Sequence, residues 1–408
     1  MDVAQIDLLD RDRFTQGIPH EWFTWLRANA PVYHHDEPDG AGFWVITRYD
    51  DIVTANRDAA SLSSSQELGG VVTLEGPTAP FPGTEMAGNM MLFMDPPDHT
   101  RYRKLVNRGF TPRMIGALEP HVRELTVGIV EAALAKRECD FVVDVAAELP
   151  LEVIAELLGV PREDRHKLFD WSNRMVGSED PEYQVSEEHV TEAQIEMFMY
   201  AQALAEKRRA EPQDDIVTTL LTSEIDGDSL SEMDFNLFFM LLSVAGNETT
   251  RNAIAHGMNA FLENPDQWAL LVSDPDRHMA TAVEEVLRWA SPVLFFRRNA
   301  RKDVTLSGQT IRAGEKISLW YISGNRDEAI FDDPFRFDIT RDPNPHIAFG
   351  GGGPHFCLGA QLARLEIRLL FEELARRVPR LEQLGEPDRL RSNFIGGIKH
   401  LPVRLVAG

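Results

Sequence analysis

The stretch Phe349-Gly350-Gly351-Gly352-Gly353-Pro354-His355-Phe356-Cys357-Leu358-Gly359 places one cysteine behind four glycines and directly before a helical pattern over 360–377. Consecutive glycines indicate that the backbone adopts dihedral angles that other residues avoid. Such a loop can approach a flat ring closely, and its N–H groups, together with the N-terminus of the next helix, stabilise the negative charge of a sulfur ligand. The stretch therefore predicts that Cys357 is a thiolate ligand of a metal held in a planar cofactor.

Two other interpretations of this loop compete with the metal ligand. A loop that binds nucleotide phosphates needs the pattern G-x-G-x-x-G, but His355 or Phe356 occupies the third glycine position in every register. An isolated cysteine is also more often a small buried residue without chemistry. The residues exclude the first interpretation and leave the second open.

A long helix is predicted between Ser231 and Asn264. Ser231 followed by Asp234 resembles a capping box, and Asn264-Pro265 supplies a stop signal. The roughly 30 residues between them span about 45 Å at about 1.5 Å per residue. Because the middle, Leu237 to Val244, is apolar on nearly every side, we expect this helix to cross the interior of the protein.

The same helix carries the polar segment Ala245-Gly246-Asn247-Glu248-Thr249-Thr250 directly after its apolar middle. Burying a carboxylate and hydroxyls costs free energy unless these groups are paired or used. Glycine costs about 1 kcal/mol relative to alanine in a helix interior, which suggests that the backbone at Gly246 gives way to a neighbour such as a macrocycle or bound oxygen. Thr249 can donate to the carbonyl four residues earlier and bend the helix. Periodicity alone leaves the alternative that this surface faces solvent.

Helical periodicity dominates the chain from His99 to about Asn264, and short strand-like runs return after Arg298. Closer to the N-terminus, a helical pattern precedes the strand-like runs Pro31 to His34 and Phe43 to Thr47. We therefore predict a mainly α fold with small β-sheets, in one domain over residues 1–408. About the first 95 residues are predicted to be β-rich, and the remainder helical.

Residues Ser61 to Phe93 lack periodicity and combine Gly-Gly, prolines and methionines. Long irregular segments in compact domains usually carry function. We expect this segment to be a substrate loop.

Composition limits the classes of partner and compartment. With 65 acidic and 41 basic side chains, the net charge of -24 argues against nucleic acid or an anionic membrane as the main partner. The longest apolar run, Leu237 to Gly246, is far shorter than the ~20 residues of a membrane span, so no membrane anchor is expected. Only Cys139 and Cys357 occur, which excludes a disulfide framework and fits a reducing cytoplasm. Cys139 is expected to be structural.

The glycine–cysteine loop resembles the haem-binding signature of the cytochromes P450, and the Ala245–Thr250 segment resembles the oxygen-activation sequence of that family. The likeness extends from Pro19 to Val406. One departure is that Phe349 lies eight residues before Cys357, where the common pattern has seven. The resemblance implies the cytochrome P450 fold with its long central helix over the haem, a haem b (iron protoporphyrin IX) cofactor, and a monooxygenase that activates O2.

The resemblance also assigns roles to particular residues. Cys357 would ligate the iron within a signature that includes Phe349 and Gly359, and Ala245 would face the haem plane. Thr249 would hydrogen-bond the reacting oxygen, while Glu248 with ordered water would relay the protons that cleave the O–O bond.

A haem also brings two propionates, which need cations or histidines from several elements. The positions that match the propionate-binding residues of the family are His99, Arg103, Arg298 and His355, with Arg297 as the alternative to Arg298. Glu285 and Arg288 match the E-x-x-R pattern of the family, and Arg336 matches its third partner, so these residues are expected to form a buried ion-pair network.

Partners follow from the same resemblance. A basic face formed by Arg101, Arg103, Lys104, Arg108, Arg113, Arg364 and Arg368 is expected to receive electrons from a ferredoxin, itself reduced by ferredoxin reductase. The protein is expected to be a monomer. A hydrophobic small-molecule pocket is predicted to be lined by Met91, Phe93, Met240, Val244, Val293, Leu294 and Phe394.

Three short segments, Ala245 to Arg251, Arg108 to Pro112 and Gly396 to Lys399, are similar to the bacterial subgroup that oxidises steroid side chains, branched lipids and terpenoids. Two alternatives remain: a haem-binding sensor without turnover, and a peroxide-dependent haem enzyme. The pair Glu248 and Thr249 argues against both.

Overall fold

Helices carry most of the chain, as its periodicity predicts. The computed structural model describes residues 3–38, 40–75, 90–176, 180–183, 186–213, 215–225 and 227–408. Within these residues the helices are α1 (Arg11–Thr15), α2 (His20–Asn29), α3 (Tyr49–Arg57), α4 (Asp98–Val106), α5 (Pro112–Lys136), α6 (Glu148–Leu157), α7 (Arg165–Val176), α8 (Glu187–Ala210), α9 (Ile216–Thr222), α10 (Glu232–Glu263), α11 (Pro265–Ser273), α12 (Pro275–Ala290), α13 (Tyr321–Gly324) and α14 (Ala360–Arg377).

The strands are short and form small sheets, as predicted. They are β1 (Val32–His35), β2 (Phe43–Ile46), β3 (Leu62–Ser63), β4 (Glu138–Asp140), β5 (Glu224–Ile225), β6 (Asp228–Ser229), β7 (Phe295–Ala300), β8 (Val304–Leu306), β9 (Gln309–Ile311), β10 (Lys316–Trp320), β11 (Arg380–Gln383), β12 (Asp388–Arg389), β13 (Ile398–His400) and β14 (Pro402–Val406).

The largest sheet joins strands from residues 32–63 to strands from residues 295–320, in the order β1-β2-β10-β7-β3. β2 pairs parallel with β10, with Val45 opposite Ser318, and β3 pairs antiparallel with β7. The expectation of a β-rich part over about residues 1–95 is wrong. The described residues there hold three α-helices and three short strands. Those strands share a sheet with β10 and β7, which come from the second half of the chain.

The long helix predicted from Ser231 onward is α10. The Ser231 side chain accepts from the Asp234 backbone, and the Asp234 side chain accepts from the Ser231 backbone, so the predicted capping box forms. Asn264 caps the other end, directly before the proline of α11. The helix contacts α6, α7, α8, α12 and α14 and is buried over most of its length, which confirms that it crosses the interior.

The loop before α14 uses its glycines in the way that the sequence predicts. All four residues from Gly350 to Gly353 have positive φ angles, between 65° and 108°. At Gly353 a Cβ atom would lie 2.2 Å from the Asn56 carbonyl oxygen, so no larger residue fits there. The loop therefore packs directly against α3 while it delivers Cys357 to the start of α14.

The predicted substrate loop is described at its two ends. It begins with β3, and its last residues, Met91–Phe93, form a single turn of 3-10 helix. Residues 76–89 lie outside the described residues. None of the described helices is long and apolar enough to pass through a membrane.

Candidate functional site

Cys357 lies at the end of the glycine loop, three residues before α14 begins. Its backbone N–H donates to the Phe349 carbonyl, with the two atoms 3.1 Å apart. The side chain is exposed, yet protein surrounds the thiol closely enough for desolvation to raise its pKa, against the opposing effect of a Gly359 backbone hydrogen bond and the charge of Arg103. The sulfur is therefore accessible to a ligand, although the protein around it disfavours the charged thiolate.

Four predicted cofactor residues come together from three elements. His99 and Arg103 lie on α4, Arg298 lies on β7, and His355 lies in the loop before Cys357. The rings of His99 and His355 have centroids 4.1 Å apart. Burial first, and then the positive charge of the neighbouring arginines, lower the pKa of His99 to about 4 and that of His355 to about 2. Both imidazoles are therefore neutral at neutral pH, beside two cations.

The hydrogen-bonding state of this cluster tests whether a haem fits. His99 is 1% exposed, and neither of its ring nitrogens has a hydrogen-bond partner within the described parts of the chain. Buried polar atoms nearly always have a partner. A neutral imidazole and two arginines fit a ligand that carries carboxylates, as the two haem propionates would. The residues at this site thus fit haem, with Cys357 as the sulfur ligand.

Arg297, the alternative to Arg298, is engaged elsewhere. Its guanidinium donates to the carbonyls of Thr73 and Leu68, at 2.8 and 3.3 Å, and to the Asn299 side chain. Of these two arginines, Arg298 is the one whose charge acts on His99 and His355. The geometry therefore favours Arg298 as the residue that faces a propionate.

One face of α10 is accessible near the middle of the helix. Ala245 is exposed and Thr249 is half-buried in the middle of an otherwise buried helix, and residues four apart share a helix face. The Thr249 hydroxyl donates to the Ala245 carbonyl at 2.7 Å, the back-bond that the sequence predicts. This accessible face is available to a planar group, as the resemblance of the Ala245–Thr250 segment implies.

Glu248 points away from that face. It is buried and forms an ion pair with Arg251, a residue that sequence reasoning missed although its i,i+3 spacing was visible. Burial raises the pKa of Glu248, and the charge of Arg251 opposes the rise. In the described part of the structure, Glu248 shares no hydrogen bond with Thr249.

Gly246 makes room for a side chain of the protein, and this contact explains the glycine without a macrocycle or bound oxygen. A Cβ atom there would lie 2.9 Å from the Ile154 side chain on α6. The glycine therefore allows two helices to pack closely.

The buried ion-pair network forms around Glu285, but its third cation is Arg341. Arg288 donates to both carboxylate oxygens of Glu285 at 2.7 Å, and Arg341 donates to one of them at 3.2 Å. The prediction of Arg336 is wrong. Its side chain is 62% exposed and lies 3.9 Å from Asp338. Arg336 takes part in the network through its backbone carbonyl, which accepts hydrogen bonds from Arg288 and Arg341.

The predicted pocket residues fall into two groups. Phe93, Val244, Val293 and Phe394 are half-buried and retain surface for a ligand. Met91 and Met240 are almost fully buried and belong to the main core. Leu294 is 0% exposed and packs in a core with Phe295 and Trp320, so its assignment to the pocket wall is wrong.

The cations of the predicted basic face differ in their surroundings. Four of these cations are exposed on α4, in the turn that follows it and at the start of α5, namely Arg101, Lys104, Arg108 and Arg113. Arg103 donates to the Phe356 carbonyl at 2.8 Å, which ties α4 to the cysteine loop. By contrast, Arg364 and Arg368 form ion pairs with Glu284 and Glu119. The exposed cations therefore cluster beside the loop that presents Cys357.

Comparison with known proteins relates this geometry to a family. The sequence profile described as Cytochrome P450 matches residues 80–379. A steroid C26-monooxygenase of Rhodococcus jostii (strain RHA1) is 44% identical over 403 residues, which cover 97% of this chain and 84% of that protein. A methyl-branched lipid omega-hydroxylase of Mycobacterium tuberculosis (strain ATCC 25618 / H37Rv) is 42% identical over 412 residues, with coverages of 98% and 95%.

Solved structures show the same likeness. A Mycobacterium marinum cytochrome P450 in complex with pseudoionone superposes with a TM-score of 0.90 at 40% identity and covers 98% of each chain. A Bacillus megaterium cytochrome P450 in complex with testosterone has a TM-score of 0.82 at 33% identity, with 95% of this chain and 99% of that chain covered. The overall fold is therefore shared with these proteins.

Proposed function

The chain belongs to the cytochrome P450 family and is a monooxygenase, and from this premise we propose that it hydroxylates the end of a branched aliphatic chain, on a steroid or a methyl-branched lipid. The observation that carries the proposal is the near-full-length likeness to relatives of both activities. Position C26 of a steroid and the omega carbon of a methyl-branched lipid are both chain ends. A pocket that serves either substrate has to present such an end to the reacting centre.

The cofactor in this proposal is haem b, held by residues from three elements. Bound haem with a thiolate ligand supplies the iron that activates O2 for insertion into a C–H bond. Cys357 provides that ligand. His99, Arg103, Arg298 and His355 hold the propionates, which fits the unpartnered nitrogens of His99 and the cations beside it.

The chain's own polar residues manage protons in this proposal. Thr249 lies on the exposed face of α10. Its hydroxyl, which donates a hydrogen bond to the Ala245 carbonyl, can instead donate that bond to the O2 that the enzyme activates. Glu248 is a buried carboxyl whose pKa is raised by burial, and a carboxyl that is easier to protonate than an exposed one suits a group that accepts and passes on protons. This pair favours a monooxygenase over a haem sensor or a peroxide-dependent enzyme.

Electron supply and location complete the proposal. We assign the reduction step to a ferredoxin and its reductase, docked on the exposed cations beside the Cys357 loop. The protein is proposed to act as a cytoplasmic monomer, since its only two cysteines suit a reducing compartment.

A substrate panel tests the proposal. We expect steroids with an intact side chain and methyl-branched fatty acids to shift the haem absorption from low to high spin, and mass spectrometry to locate the added oxygen at the chain terminus. Cys357→Ala is the control and should lack the thiolate-type spectrum of the ferrous carbon monoxide complex. Oxidation confined to ring carbons, or to unbranched chains, would contradict the proposed substrate class.

A further inference from the structure

Glu248 is held through only one of its two carboxylate oxygens. The side chain is 2% exposed. Its Oε2 accepts from Arg251, while Oε1 has no hydrogen-bond partner among the residues that the structure describes. A carboxylate can accept at both oxygens. One oxygen therefore orients the group, and the other remains available to exchange a proton.

Arg251 links this carboxylate to a second helix. Its Nη1 donates to the Asn173 side-chain oxygen on α7 at 3.0 Å, while its Nη2 donates to Glu248. A guanidinium is rigid and planar, so a hydrogen bond at each of its two terminal nitrogens fixes the orientation of its plane. The position of Glu248 is therefore set by α7 as well as by its own helix.

Further buried polar atoms near this pair have no protein partner in the described ranges. They are both side-chain atoms of Asn247, the Nε of Arg251 and the hydroxyl of Ser172. Asn247 adjoins Glu248 and lies one turn from Arg251, and Ser172 adjoins Asn173. Because buried polar groups are satisfied by ordered water where protein cannot reach them, this cluster needs water partners.

A phenol also lies within electrostatic reach of this pair. The charges of Arg251 and Glu248 both act on Tyr183, which lies on the segment after α7. Burial raises the pKa of Tyr183 to about 12, so it stays a neutral hydroxyl that can both donate and accept.

We propose that Arg251 is a positioning residue for Glu248, and that the α7–α10 contact around Ser172, Asn173 and Asn247 encloses the ordered water that reprotonates the free carboxylate oxygen. This inference rests on the proposed proton role of Glu248. Monooxygenation consumes protons together with O2 and electrons, and in this arrangement the protons reach Glu248 through the water between α7 and α10. The charged and titratable groups that act on Glu248 are Arg251, on the same helix, and Tyr183, on the segment after α7.

The decisive variants are Arg251→Met, Arg251→Lys and the milder Asn173→Ala, with Arg165→Met as a matched control. Arg165 also forms a buried ion pair, with Glu152, but it is the first residue of α7, about two turns before Asn173. In Arg251→Met we expect roughly tenfold slower hydroxylation with a larger solvent deuterium isotope effect, since general acid catalysis as a whole contributes at least ~100-fold. Asn173→Ala should move both in the same direction by less, and Arg251→Lys should restore part of the loss. Haem content and the substrate spin shift should stay unchanged.

A second readout does not need turnover. Infrared titration of the haem-loaded protein, with Glu248→Gln to identify the band, should show that Glu248 stays protonated to higher pH in Arg251→Met, because the stabilising cation is gone. If no hydroxylation of the panel is observed, this titration still decides the role of Arg251. A Glu248 band that is unchanged in Arg251→Met and in Asn173→Ala would overturn the inference. So would an isotope effect that stays at the wild-type value, or a loss of activity matched by Arg165→Met.

Discussion

Glu285 is a fully buried carboxylate whose charge is balanced by donors from distant parts of the chain. Besides Arg288 and Arg341, the Asp338 backbone N–H donates to it at 2.9 Å and the Asn344 amide at 3.0 Å. Removing one partner of such a pair leaves a buried charge that costs about 3–5 kcal/mol. The network fastens α12 to the segment that leads into the Cys357 loop.

We predict that Arg341→Met destabilises the protein far more than Arg336→Met. Arg341 contacts Glu285 and also donates to the Asp332 carbonyl at 2.7 Å, so its loss should lower the free energy of unfolding by about 3 kcal/mol. Arg336 is exposed, and its replacement should cost less than about 0.5 kcal/mol. Denaturant unfolding of the two variants measures the difference. Equal losses would return the third place in the network to Arg336.

At the scale of elements, an ionic network ties the segment after α7 to the C-terminal strands. The Lys399 ammonium lies 3.1 Å from Asp180 and 2.9 Å from Glu182. His400, beside it on β13, bonds Asp140 of β4 at 2.5 Å and Glu182 at 3.0 Å. The ligand atoms of Glu182, Asp388 and His400 are close enough to hold a metal ion, but the ammonium of Lys399 already lies beside both carboxylates, 2.9 Å from Glu182 and 3.6 Å from Asp388.

This network should make stability depend on pH. Burial disfavours a charged His400, but its hydrogen bonds to Asp140 and Glu182 outweigh burial and raise its pKa above the ordinary 6.5. A raised folded-state pKa gives stability that is fully present below the unfolded pKa and is lost as the pH rises through the folded one.

We therefore expect His400→Asn to reduce the free energy of unfolding at about pH 6 and to match the wild type more closely at about pH 9. The other charged groups around this histidine are Lys399 and Asp388, which the variant retains. Urea unfolding at the two pH values provides the measurement. A difference that grows with pH would refute the assignment.

At the scale of the whole molecule, charge is distributed unevenly. The chain carries a net charge of -24, yet exposed cations on α4 and at the start of α5 lie beside the loop that holds Cys357. Such a patch attracts an acidic partner over long range, and salt screens that attraction.

We predict that reduction by an acidic ferredoxin slows steeply as ionic strength rises, and that Lys104→Glu combined with Arg108→Glu slows it by roughly tenfold at low salt. Arg312→Glu is the control, because it reverses an exposed charge in the turn between β9 and β10. Stopped-flow reduction rates would show the effect. A rate that is insensitive to salt, or equally affected by the control, would place the docking surface elsewhere.

Features whose cause lies within a few residues could be predicted from the amino-acid sequence. The capping box at Ser231, the stop at Asn264, the back-bond of Thr249 and the positive φ angles of Gly350–Gly353 all depend on atoms that are close along the chain. Local hydrogen bonds and local dihedral limits are readable from spacing, because the backbone fixes the geometry between near neighbours. The same locality placed Cys357 directly before α14.

The contacts between distant groups depended on how the helices and strands pack. This packing brought Arg341 rather than Arg336 to Glu285, placed Gly246 against Ile154, and paired the N-terminal strands with β7 and β10. It also joined Arg251 to Asn173 across two helices. Periodicity tells which face of an element is buried but not what covers it, because the identity of the neighbour depends on how segments far apart in sequence pack together.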